Sequence, residues 1–149
     1  MNFNFKSDST IPTMNAIIST NPSDQDKWEI IKHTLDSISL SLTVINPKNN
    51  RQLLIKLAEI VAIESKNRYC VVQTLTNQHF YLNNRLKNIL STIKSTHFIQ
   101  INNQTIVNLT YVKHFSTTTN ARIEVVLQND LMYFVNRHYI KIFRRNLSC

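Results

Sequence analysis

The chain has 149 residues, 17 Lys and Arg against 9 Asp and Glu for a formal net charge of +8, and no glycine at all. At ordinary usage roughly ten glycines would be expected. Their absence excludes the P-loop and the dinucleotide fingerprint, which need glycine where backbone meets phosphate, the hydrolase nucleophile elbow and the EF-hand calcium loop.

Residues 1–22 are polar and unpatterned, with Pro12 and Pro22, and read as a flexible arm. Ser23 then precedes Asp24 and Asp26, with Trp28, Ile31 and Leu35 at helical spacing. A serine cap and an acidic first turn predict a short amphipathic helix over 24–36, with Trp28 packing onto the body. From residue 38 the period drops to two: Ile38, Leu40 and Leu42 alternate with Ser39, Ser41 and Thr43, as in a half-buried strand. Pro47–Asn50 is a turn, and Leu53, Ile55 and Leu57 mark the next strand. Ile60–Ile63 is apolar throughout, as in a strand covered on both faces. Ser65–Arg68 is turn-like, 69–75 a strand, 76–78 a tight turn and 79–82 another strand, which is a run of hairpins. Leu86, Ile89, Leu90 and Ile93 form one apolar helical stripe, capped by Asn83 or Asn84 and ending by Thr96. Strand patterns resume at 98–101, 105–109, 111–116, 122–128 and 131–135, and 137–146 reads as a short basic helix.

In such a chain the positive-φ turn positions that glycine usually fills fall to Asn or Asp. The candidates are Asn50, Asn67, Asn77, Asn129 and Asp130.

Charge is unevenly placed. Residues 1–50 carry four lysines against five carboxylates, and residues 51–149 carry 13 basic against 4 acidic residues. The basic excess lies wholly on the C-terminal two-thirds and points to a polyanion such as nucleic acid. No apolar run approaches the ~20 residues of a membrane span, and the N-terminus lacks the pattern of a signal peptide. With only Cys70 and Cys149, a reducing, cytoplasmic location is expected. The five histidines are scattered singly and neither cysteine is in a CxxC pair, so no metal site is expected. Glu64-Ser65-Lys66 has the E-x-K spacing of a magnesium nuclease class, but the body offers no upstream aspartate. No catalytic residue, cofactor or small-molecule substrate is expected.

Three polar clusters interrupt the apolar strands: Lys66-Asn67-Arg68-Tyr69, Asn102-Asn103-Gln104 and Asn136-Arg137-His138. Asn amides bond adenine bidentately and Arg guanidinium does the same to guanine, so these are candidate base readers on a basic body.

The segment FIQINNQTIVNLTYVKHF (98–115) resembles the central signature of the LytTR DNA-binding domain, with Phe98, Val107, Asn108 and Val112 at matching positions. Upstream, EIVAIESKNRYCVVQTL (59–75) is similar to that family's acidic and Ile-Glu segment. Downstream, VVLQNDLMYFVNRHYIKIF (125–143) is similar to its hairpin and short helix. The resemblance covers about 38–147 in the family's order of elements. It implies a mostly β fold with short helices, an elongated stack of small antiparallel sheets over 38–149, with one helix mid-domain and one at the end.

The resemblance also implies function. LytTR domains insert loops, rather than a recognition helix, into successive major grooves of double-stranded DNA. Base-reading positions would fall at Asn67, Arg68, Tyr69, Asn102, Asn103 and Arg137, and Arg137 matches the family's arginine. Phosphate contacts would fall to Lys66, Gln104, Asn136, His138, Lys141 and Arg145. The loop chemistry departs from the family: Gln100, Asn102, Gln104 and Asn136 replace the more usual Arg, His, Ser and Ser, and Asn103 stands where Arg or Asn is found. The expected function is a bacterial, non-enzymatic transcription regulator binding tandem promoter repeats as two copies. The alternative is a protein-interaction module on the same fold with reduced base readout. About 37 residues precede the body, fewer than the ~50 of the smallest domains, so no receiver domain is expected ahead of it. Some stand-alone members are held inactive by a small membrane protein, which makes such an inhibitor a candidate partner for residues 1–37.

Overall fold

A computed structural model describes residues 1–13, 15–39, 41–93 and 97–147, without the side chains of 36–39. The chain divides into two compact units, Met1–Leu35 and Asp36–Cys149.

In the first unit none of the described residues is buried. A 3₁₀ turn, Pro22–Lys27, leads into helix α1 (Trp28–Ser39). The cap is Asn21 and not the expected Ser23: the Asn21 Oδ1 accepts the Ser23 N–H at 3.0 Å. Pro22 explains the shift, because proline suits the first helical position, where its missing N–H costs nothing. The helix continues three residues past the expected end, so Ile38 is helical and not in a strand. Ile38 continues the stripe Trp28, Ile31, Leu35 at i+3, and the short alternation after it fits either period. Leu40 lies outside the described residues. Trp28 is half exposed, and its indole N–H donates to Thr20 Oγ1 at 2.6 Å.

The second unit is built of hairpins. Strands β1 (Ser41–Ile45) and β2 (Gln52–Lys56) pair around the expected turn. A 3₁₀ turn, Leu57–Glu59, takes Leu57 out of the strand pattern. Then follow β3 (Ile60–Lys66), β4 (Tyr69–Thr74), β5 (His79–Leu82) and α2 (Leu86–Ile93). Strands β6 (Phe98–Asn102) and β7 (Thr105–Asn108) come next. After a 3₁₀ turn at Leu109–Tyr111 come β8 (Val112–Thr117), β9 (Ile123–Leu127) and β10 (Met132–Val135). A last 3₁₀ turn, Arg137–Tyr139, opens α3 (Ile140–Leu147). Ser65 and Lys66, expected in a turn, are the last residues of β3, paired with Cys70 and Tyr69. At the entry of α2 the Asn84 Oδ1 accepts the Arg85 N–H at 2.8 Å; the expected exit at Thr96 lies outside the described residues.

The strands form a seven-stranded sheet, order β2-β1-β5-β4-β3-β7-β6, and a three-stranded sheet, order β10-β9-β8. Two apolar clusters lie on opposite faces of the larger sheet. One gathers Leu86, Ile89 and Ile93 of α2 against Ile60, Ile63, Phe98 and Ile106. The other gathers Ile123, Val125, Leu127, Val135 and Phe143 against Val61, Ala62, Ile99, Ile101 and Val107. Strand β3 is thus buried on both faces from Ile60 to Ile63, as its unbroken apolar run predicts. A register shift between Ile60 and Ala62 lets Val61 and Ala62 both serve the second cluster, as a β-bulge does. Asn108, buried among these strands, is satisfied at both ends: Nδ2 donates to the Ile60 carbonyl at 2.9 Å and Oδ1 accepts the Thr110 N–H at 3.1 Å.

Four of the five candidate turn residues have positive φ: Asn50 at 59°, Asn67 at 50°, Asn77 at 61° and Asp130 at 68°. Asn129 is not among them; one left-handed residue closes that turn, and the Asn129 side chain instead accepts the Leu131 N–H at 3.2 Å. Ala121, at φ 55°, is unforeseen. A Cβ in the left-handed region costs about 1–2 kcal/mol, and added glycine freedom in the unfolded chain returns about 0.4–1 kcal/mol of that. Ala121→Gly is therefore expected to raise the unfolding free energy by up to about 1.6 kcal/mol. A urea titration checks this, and a fall in the midpoint would contradict it.

Among the described residues no helix is long and apolar enough to cross a membrane, and no group of three metal-ligating side chains gathers.

Candidate nucleic-acid interface

The three polar clusters, separated by some 35 residues each in sequence, meet at one end of the second unit. The first is a hairpin whose loop is only Asn67 and Arg68, since Lys66 pairs with Tyr69. The favoured two-residue loops take positive φ to match the strand twist, and here Asn67 supplies it. Lys66, Asn67, Arg68 and Tyr69 are all exposed. The Tyr69 ring lies 4.7 Å from that of Tyr81, which fixes its place on the β4–β5 surface.

The second cluster is the β6–β7 hairpin, with Asn103 and Gln104 as its loop and Asn102 paired with Thr105. Strands β3 and β7 are antiparallel neighbours, with Glu64 opposite Thr105. The end of β3 and the start of β7 therefore share one edge, and the Ser65 N–H donates to the Gln104 carbonyl at 2.7 Å. This ties the second loop to the strand that carries the first.

The third cluster, the β10–α3 junction, is tied to the second by three bonds. The Asn136 N–H donates to the Ile101 carbonyl at 2.9 Å. Asn102 Nδ2 donates to the Phe134 carbonyl at 2.9 Å, and the Tyr139 hydroxyl donates to Asn103 Oδ1 at 3.0 Å. Asn102 Oδ1 also accepts the Gln104 N–H at 2.8 Å. Both ends of the Asn102 amide are thus engaged inside the protein, while Asn103 is an exposed residue bonded through its Oδ1. Arg137 and His138 are exposed at the junction, and Lys141 one turn further along α3.

Behind the loops Glu64 Oε2 accepts from Gln73 Nε2 at 2.9 Å. The Tyr133 hydroxyl of β10 is buried on this side. Burial, and then the negative charge of Glu64, raise its pKa, so it stays protonated and neutral. Burial likewise raises the Cys70 thiol. Its Sγ donates to the Asn84 carbonyl at 3.2 Å, and it is an unreactive core group.

The charge carried by the three clusters themselves is of one sign. Among the described residues Lys66, Arg68, Arg137 and Lys141 form no ion pair. Sequence reasoning missed three nearby residues: Arg85, which lines a cleft with Asn67, Arg68 and Tyr69, Lys87 on the first turn of α2, and Tyr139. The polar run Asn83-Asn84-Arg85 after β5 is the same kind of signal as the other three clusters. A basic edge of short polar loops suits contact with a polyanion.

The model of the LytTr DNA-binding domain matches residues 50–148. The chain belongs to the LytTr family. A solved LytTr DNA-binding domain, from a protein described as a methyl-accepting/DNA response regulator of Bacillus cereus, superposes with a TM-score of 0.66 at 16% identity. The match covers 74% of this chain and 100% of that one. At that identity the likeness speaks for the fold, which is the mostly β, antiparallel LytTr fold. No curated protein matches the chain. The LytTr match begins at residue 50, inside the second compact unit, and so takes in β2 to α3 with all three polar clusters.

Proposed function

We propose that this LytTr protein is a sequence-specific regulator of transcription that reads tandem repeats in double-stranded DNA through loops set in the major groove. The observation that carries the proposal is the convergence of the three polar clusters on one basic edge, held by the Ser65–Gln104, Asn102–Phe134 and Asn103–Tyr139 bonds. The hairpin tips Asn67-Arg68 and Asn103, with Tyr69 and Arg137, are the readers. Asn102, committed to Phe134 and Gln104, holds the second loop in place against the third. Lys66, Gln104, Asn136, His138, Lys141 and Arg145 meet phosphate, which fixes register without reading sequence. Two copies on repeated sites would double the readout without a new contact surface on the DNA.

A second reading keeps the fold but gives up base readout in favour of a protein partner, and the internal engagement of Asn102 is what favours it. Selection from random duplexes by gel shift separates the two. A recovered repeated motif is the expected result. Binding that falls steeply with salt but yields no motif reduces the edge to a nonspecific basic surface, and absence of binding leaves the protein-partner reading.

A further inference from the structure

We infer that Arg85 and Lys87, at the start of α2, form a second phosphate-binding flank on the DNA-facing edge, opposite the flank that carries Lys141 on α3. The inference rests on the DNA-binding reading above and names residues outside the three polar clusters.

Strand β4 leaves the Asn67-Arg68 hairpin, and β5 returns antiparallel to it, with Leu82 opposite Cys70. Cys70 is one residue beyond Tyr69, so the chain leaving β5 emerges beside that hairpin. The Cys70 Sγ bond to the Asn84 carbonyl at 3.2 Å holds it there. Arg85 and Asn84 then line a cleft of about 400 Å³ with Ser65, Asn67, Arg68 and Tyr69. Arg85 and Lys87 are exposed and, among the described residues, form no ion pair. Beyond them α2 buries Leu86, Ile89 and Ile93 in the first apolar cluster. Helix α3 buries Phe143 in the second, on the other face of the same sheet.

The two helices therefore start at the same edge but on opposite faces, each with cations on its opening turns. The hairpin tips lie between them. A groove has two phosphate backbones with base edges between, and this edge has two cationic flanks with polar amides between. The ligand chemistry of the α2 flank is the DNA phosphodiester. The base edges fall to the hairpin tips between the two flanks.

The test is the salt dependence of binding to the selected duplex. Each phosphate neutralised contributes about 0.9 to the slope of log K against log salt. Arg85→Ala and Lys87→Ala should each lower the slope by about 0.9, and the double variant by about twice that, with the selected motif unchanged. Arg85→Lys should restore the slope, because a point charge suffices for phosphate and not for a bidentate guanine contact. Melting temperatures equal to the parent's show that the fold is kept. An unchanged slope in the double variant overturns the inference, and so does a changed base preference that Arg85→Lys fails to rescue. If the parent protein binds no duplex, the DNA-binding reading itself fails. If it binds and the variants keep its slope, only the second flank fails.

Discussion

Arg137→Ala is expected to weaken binding to the selected site by about 1–3 kcal/mol and to relax preference at one base position. Arg137 opens the 3₁₀ turn before α3 and is exposed. Its backbone is placed firmly, because the preceding Asn136 N–H bonds the Ile101 carbonyl at 2.9 Å. A guanidinium held this way is available for the bidentate O6/N7 contact to guanine, the commonest specific contact in the major groove. With no ion pair to break among the described residues, it reaches DNA without losing a partner. Titration against duplexes changed one base pair at a time measures both effects. A uniform loss across all of them would make Arg137 a phosphate contact, and unchanged preference would remove it from the reading set.

The largest effect on stability is expected from Phe143→Ala, about 3–5 kcal/mol, the usual cost of emptying a buried aromatic site. Phe143 is fully buried at 0% exposure and meets Phe115 edge to face, with ring centroids 5.5 Å apart. It is the side chain by which α3 is held to the second apolar cluster. Domains are typically stable by about 5–15 kcal/mol, so the change removes a large share of the total. Chemical denaturation measures it, and DNA affinity should fall with it because Arg137 and Lys141 ride on the same element. A loss below about 1 kcal/mol would show that α3 is not integral to this core.

The hairpins were legible because the outer strands keep a period of two, β3 is an unbroken apolar run and each break is a polar turn. Without glycine, the turn residues announced themselves: Asn50, Asn67, Asn77 and Asp130 take the positive φ that the backbone demands. Ala121 did not, since nothing in an alanine signals a left-handed turn. Helix α1 ran past its expected end because a short alternation at Ile38 fits two periods at once. At the candidate site the clusters could be read as polar interruptions, but not their convergence. That depends on β3 pairing with β7 across an intervening hairpin, helix and strand. The commitment of Asn102 was equally hidden, because its partner carbonyl at Phe134 lies 32 residues away. Arg85 was missed because a cation at the start of a helix looks like ordinary surface until β5 is seen to return beside the first loop.

The bulge at Ile60–Ala62 has a consequence for how the domain comes apart. Strand β3 supplies side chains to both apolar clusters, so neither can be exposed while the other stays whole. The second unit should therefore melt in one cooperative step. The amides of β3 and β7 should be the last to exchange with deuterium, opening only with global unfolding, while the loop tips exchange through local openings. The two sides of the basic edge are then mechanically one body, and spacing between its loops is set by a strand that cannot yield on one side alone.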